Sequence, residues 1–116
     1  MDPAKWGPHA WYFIESCVGN IHDSAKVPRY VEFLESLQHV LPCEGCRQKY
    51  TNYLLKNPIP GDKEGVQEWV RGLHNDVRKR CGKSEFSKKD IESFYSGDNN
   101  MVIFGIFVIL VFLILI

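Results

Sequence analysis

From Met101 to Ile116 the chain reads MVIFGIFVILVFLILI, sixteen residues without one polar side chain. No other stretch of this 116-residue sequence limits the fold as much. A helix that is apolar on every side offers no face to water, and a domain of this size has too little mass to wrap one. The run is therefore expected to be a C-terminal transmembrane helix. As a helix it extends about 24 Å against a hydrocarbon core of about 30 Å, so it suits a thin bilayer or a tilted, partly inserted end. The expected division is a domain over residues 1–97, a polar collar at 98–100 and an anchor at 101–116.

The opening MDPAKWGPHAWYF lacks the apolar stretch of a signal peptide, so a single-pass tail anchor would leave the domain facing the cytosol. All 14 basic and 14 acidic residues precede Met101. That balance gives no electrostatic footprint for nucleic acid. The local basic run Arg78, Lys79, Arg80, Lys83, Lys88, Lys89 reads as a solvated helix face or as an anion site suited to phosphate.

Helical signals fill the first hundred residues. Trp6 to Val18 is mostly apolar or aromatic and too long for a typical strand. Pro28 suits a helix start, Tyr30, Phe33, Leu34, Leu37, Val40 and Leu41 follow at helical spacing, and Pro42 ends that helix. A third helix opens at Cys43 and carries Tyr50, Tyr53 and Leu54. The turn chemistry of Asn57-Pro58-Ile59-Pro60-Gly61-Asp62 makes a loop. Val66, Trp69, Val70, Leu73, Val77 and Cys81 trace one face of a fourth helix that Gly82 stops. Ser87 with Asp90 starts a short fifth helix that ends near Gly97. The fold class is thus all-α: a four-helix bundle plus a short fifth helix, then the transmembrane helix.

Two of the four cysteines lie in Leu41-Pro-Cys-Glu-Gly-Cys-Arg47. Zinc needs four ligands, usually from two paired clusters, and only one such pair is present. Covalent haem attachment needs a histidine where Arg47 stands. A structural bridge over so short a loop gains little chain entropy. Redox chemistry fits better, because Pro42 sets Cys43 at a helix N-terminus, where the dipole favours a thiolate. Arg47 and Lys49 add positive charge there and Glu44 opposes them. A helical dithiol outside a thioredoxin-type fold needs an acceptor for its electrons, and an organic cofactor is the natural one.

With these residues in view the sequence resembles the Erv/ALR flavin-dependent sulfhydryl oxidases. The resemblance lies in the WGxxxW of Trp6, Gly7 and Trp11, the PCEGC of Pro42 to Cys46, the WVRGLHNDV of Trp69 to Val77, and the trailing Gly82-Lys83. It implies a helical bundle holding FAD, which turns protein dithiols into disulfides and passes the electrons to O2, giving H2O2. By position, Cys43 would meet the incoming thiolate and Cys46 would lie against the flavin. Trp11, His74, Asn75 and Val77 match cofactor-contacting positions, Lys83 one near the phosphates, and Tyr95 one near the adenine. Gly7 and His9 belong to the same first-helix block and are candidate cofactor contacts with them.

Three departures stand out. Glu15 occupies the place of a flavin-contacting histidine, Arg78 that of an asparagine, from where it could reach a pyrophosphate, and Leu41 that of an aromatic. A structural disulfide common in the family is missing, Leu55 and Arg71 standing near its positions. Cys17 and Cys81 are then two buried thiols or a bridge between the first and fourth helices, the latter stabilising by about 4 kcal/mol.

No further CxxC is present, so the resemblance implies a substrate dithiol on another protein or a thioredoxin-like shuttle. It also implies a homodimer, and small members without a shuttle dithiol are typical of large DNA viruses, for which a virion or host internal membrane is a fitting location. The expected function is an FAD-linked thiol oxidase. The alternative is a membrane-tethered helical adaptor whose cysteines are structural or bind zinc.

Overall fold

A computed structural model of the chain describes residues 1–82. Four α-helices follow one another there: α1 Pro3–Gly19, α2 Val27–Val40, α3 Glu44–Lys56 and α4 Lys63–Arg80, with a 3-10 turn at Ser24–Lys26 before α2. Among the described residues there is no strand. The fifth helix expected near its Ser87 start and the apolar run from Met101 lie outside the described residues. Within them, no helix is long and apolar enough to cross a membrane.

Each boundary has a local cause. The Asp2 carboxylate accepts from the Ala4 N–H at 3.0 Å and Pro3 opens α1, its missing donor costing nothing at that position. Pro28 lies in the first turn of α2. At the other end Leu41 is extended (ψ 139°), since the ring of Pro42 bars its predecessor from helical geometry. Asp62 caps α4 by accepting from the Gly65 N–H at 3.1 Å. Beyond α4, Gly82 takes φ +72°, a left-handed conformation that glycine adopts without strain.

The core is built from one stripe of each helix, with Leu34 and Val66 wholly buried and Ile14, Val18, Tyr50, Trp69, Val70 and Leu73 around them. Polar anchors fix the packing. Trp69 Nε1–H donates to the Asn57 carbonyl at 2.6 Å, and the rings of Tyr50 and Tyr53 meet its indole edge-on. Tyr50 O–H donates to the Leu34 carbonyl, and Thr51 Oγ1–H donates to Gln38 at 3.1 Å, tying α3 to α2.

Helices α1 and α4 run antiparallel. Gln67 Nε2–H donates to the Val18 carbonyl at 2.9 Å, whereas His74, two turns further along α4, meets Glu15 and Trp11. The expected apolar face of α4 is buried from Val66 to Leu73, but Cys81 is exposed. The helix ends at Arg80, so Cys81 caps it instead of extending the stripe. Leu55 is 77% exposed and Arg71 pairs with Glu68, so both positions carry ordinary surface side chains.

Candidate active site

Cys43 is the N-cap of α3, extended at φ −127° and ψ 124°, and its Sγ accepts from the Cys46 N–H at 3.2 Å. The proline before it and the helix after it thus aim one sulfur at unsatisfied backbone donors. The two thiols are not equivalent. The hydrogen bond from the Cys46 side chain, with that from its N–H, holds the Cys43 thiol below the ordinary thiol value. Burial pushes Cys46 upward, and the neighbouring Cys43 sulfur adds to that, against the positive charges of Lys49 and Arg80. In the reduced pair Cys43 is therefore the more acidic of the two thiols.

Position rather than charge is what Arg47 contributes. Its guanidinium donates to the Leu41 carbonyl, clasping the residue before Pro42 to the first turn of α3. Lys49 and Arg80 supply the charge that acts on Cys46. Arg80 was legible only as part of a basic run, since its place beside the dithiol depends on how α4 meets α3.

A second group of residues forms between α1 and α4. The rings of Trp11 and His74 stack in parallel, centroids 4.1 Å apart and planes 7° from coplanar. His74 Nδ1 is hydrogen-bonded to the Glu15 carboxylate, and Glu15, His74 and Asn75 are the buried polar side chains of the described residues. Gly7 is half-buried on the same stripe of α1, and a side chain built there would meet nothing within 4 Å. Next to Gly7 in sequence, the buried indole N–H of Trp6 has no hydrogen-bond partner among the described residues. In the sequence Trp6 is only part of the WGxxxW motif, and its unused donor is visible only in the folded chain.

The two groups lie at one end of the bundle. Arg80 of α4 acts on Cys46, and the terminal ammonium ahead of α1 acts on Cys43. Val77 and Arg78 are half-buried on the last turns of α4. His9 does not join them: it is exposed, about half a turn around α1 from Trp11. Lys83 and Tyr95 lie outside the described residues. Among the described residues no three His, Cys, Asp or Glu side chains gather as a metal site.

A parallel aromatic wall, an open space beside a helix glycine and an orphaned indole donor fit a flat, polar-edged ring system such as a flavin. The dithiol at the same end supplies a two-electron donor.

Comparison with known proteins points the same way. The model of the Erv1/Alr family matches residues 9–96. A probable FAD-linked sulfhydryl oxidase of Acanthamoeba polyphaga mimivirus is 33% identical over 91 residues, 72% of this chain and 63% of its own length. The FAD-linked sulfhydryl oxidase of African swine fever virus is 31% identical over 97 residues, 78% of this chain and 79% of the relative. A mitochondrial FAD-linked sulfhydryl oxidase of Schizosaccharomyces pombe is 26% identical over 92 residues, and the chain spans 50% of its length. By its dithiol, its helices and these matches, the chain belongs to the Erv1/Alr family.

Proposed function

We propose that this protein is an FAD-linked sulfhydryl oxidase that makes disulfides in protein dithiols at the expense of O2, releasing H2O2. The observation that supports it most is Cys43 as the N-cap of α3, with the Cys46 N–H on its sulfur, in a chain of this family. The alternative, an adaptor with structural or zinc-bound cysteines, gives no reason for two neighbouring thiols to be shifted in opposite directions from the ordinary thiol value.

The residues divide the work. A substrate thiolate attacks Sγ of Cys43 in the Cys43–Cys46 disulfide, and Cys46 leaves as the thiolate. The second substrate thiol then attacks the mixed disulfide at the substrate's own sulfur, and Cys43 leaves, favoured by the Cys46 N–H and the α3 dipole. The substrate departs as a disulfide, two electrons lighter. Lys49 and Arg80 favour the thiolate of Cys46 once it forms, and Arg47 keeps the loop from shifting as the sulfurs part. FAD, when bound, would take both electrons from the pair and deliver them to O2. Trp11, His74, Asn75, Val77 and Gly7 would hold it, with Arg78 and Lys83 toward its phosphates.

The purified chain is expected to be yellow and to consume O2 when given dithiothreitol. Cys43→Ser should keep the colour and lose turnover with protein dithiols. Colourless, oxygen-inert protein, or bound zinc without flavin, would refute the reading.

The same proposal includes a short fifth helix, and anchoring through residues 101–116, whose lack of polar side chains supports it. The domain would then face the cytosol, at a virion or host internal membrane if the viral likeness extends to the setting. The full chain should float with phospholipid vesicles, and a chain ending at Asn100 should not. Homodimerisation and a separate thioredoxin-like shuttle rest on the resemblance, and light scattering of the purified chain tests the first.

A further inference from the structure

Glu15 is the one acidic side chain that is buried among the described residues, 8% exposed, and it is hydrogen-bonded to His74, itself 9% exposed. A carboxylate withdrawn from water to that extent persists only where a charged or hydrogen-bonding partner compensates it. Here the compensation is directional. An ionised carboxylate only accepts, so the imidazole must present a proton on Nδ1. A carboxylic acid donating to a bare Nδ1 is the poorer arrangement, since imidazole is ordinarily the stronger base of the two. The neutral tautomer that carries its proton on Nε2 is thereby disfavoured.

The face of the same ring is held as well. Trp11 covers it at 4.1 Å with the planes 7° apart, and Trp11 and Glu15 are successive-turn neighbours on α1. One helix thus grips one histidine of another helix from two directions, by its face and by one nitrogen. Dyads of this kind, in which a carboxylate fixes an imidazole that acts on a third group, orient the ring and tune its electronics. Where the resemblance implies a histidine, this chain places a buried acidic side chain.

We infer that Glu15 is a positioning residue for the cofactor: it fixes His74 in the Nδ1–H form and in one plane, and its carboxylate makes the flavin beside His74 harder to reduce. The inference rests on the flavin reading of the preceding subsection. A buried negative charge opposes the arrival of electrons nearby, so neutralising it moves the midpoint potential of the bound flavin to more positive values.

The test uses the full chain and its Glu15→Gln variant, which is close in shape and uncharged. In long-range ¹H–¹⁵N spectra of the parent, His74 Nδ1 is expected to carry the proton, with flavin bound or removed. In Glu15→Gln the flavin is expected to stay bound, with its midpoint potential shifted upward. A purely structural tie between α1 and α4 would lower the melting temperature of the variant without moving that potential.

An unprotonated Nδ1 in the parent, or an unchanged potential in a folded, yellow Glu15→Gln protein, overturns the inference. Should the variant fail to fold, the tautomer measured in the parent still decides. A parent that binds no flavin overturns the functional reading instead, and removes the cofactor half of this one with it.

Discussion

The reactivity of Cys43 comes from one hydrogen-bonding neighbour more than from the general charge around it. The thiol of Cys46 and its backbone N–H both point donors at Cys43 Sγ, and together they outweigh the small effect of burial. Below the ordinary thiol value, a falling pKa means that thiolate appears at lower pH. In the reduced protein, alkylation of Cys43 should therefore rise with pH at an earlier midpoint than alkylation of Cys46, which burial holds back. Replacing Cys46 by Ala removes the leading donor and should move the Cys43 midpoint back up, toward that of an unfolded thiol. Rates of iodoacetamide labelling followed by peptide mass spectrometry measure both. Equal midpoints for the two cysteines would mean that the cap hydrogen bond does not control acidity. Arg47 illustrates why charge on paper misleads: three residues from Glu44 in sequence, it spends its guanidinium on the Leu41 carbonyl.

At the level of elements, most of the helical pattern was legible because most helices have a stop written into the sequence. Pro42, the Asn57 to Asp62 loop and Gly82 end three of the four helices, and the apolar spacing between them has the helical period. What could not be read was which helix faces which. The Glu15–His74 pair joins positions 59 apart, and nothing in either local sequence announces it. Cys81 was misplaced for the opposite reason: its spacing continued the stripe of α4, but the helix had already ended. Cys43 and Cys46 were legible from their spacing after Pro42, Trp11 and His74 through the resemblance, and the geometry of all four came only with the register.

Two glycines test this level directly. A Cβ at Gly65 would lie 2.5 Å from both Pro60 Cβ and Asp62 Oδ1, against a rigid ring and the residue that caps α4. Gly65→Ala should cost about 1–3 kcal/mol through overpacking, offset by up to about 1 kcal/mol of helix propensity. Gly7→Ala meets open space and should stabilise flavin-free protein by about 0.5–1 kcal/mol. If that space is where the cofactor approaches, the same change should lower the flavin retained per chain. Thermal melts of the flavin-free proteins, with absorbance of the holoproteins, read out both substitutions. A stabilised Gly7→Ala protein with full flavin content would move the ring away from α1.

Across the whole molecule, the antiparallel register of α1 and α4 settles what the two remaining cysteines can do. Glu15 faces His74 and Val18 faces Gln67, so Cys17 lies level with the middle of α4 while Cys81 lies level with the first turns of α1. Roughly ten residues of helix, about 15 Å, separate those levels. A disulfide needs Cα atoms within about 7 Å, so a Cys17–Cys81 bridge within one chain would require α1 to slide by several turns. Such a slide would break the Trp11–His74 stack and the Glu15–His74 pair together. Both sulfurs are free thiols, one half-buried and one exposed. Of the four cysteines, only Cys43 and Cys46 are placed to oxidise together. The air-oxidised chain, unfolded in denaturant with an alkylating reagent, should therefore gain two labels, on Cys17 and Cys81, and four once it has been reduced first. A monomer that gains none before reduction would show that all four sulfurs pair, and that the register of α1 against α4 differs from the one described.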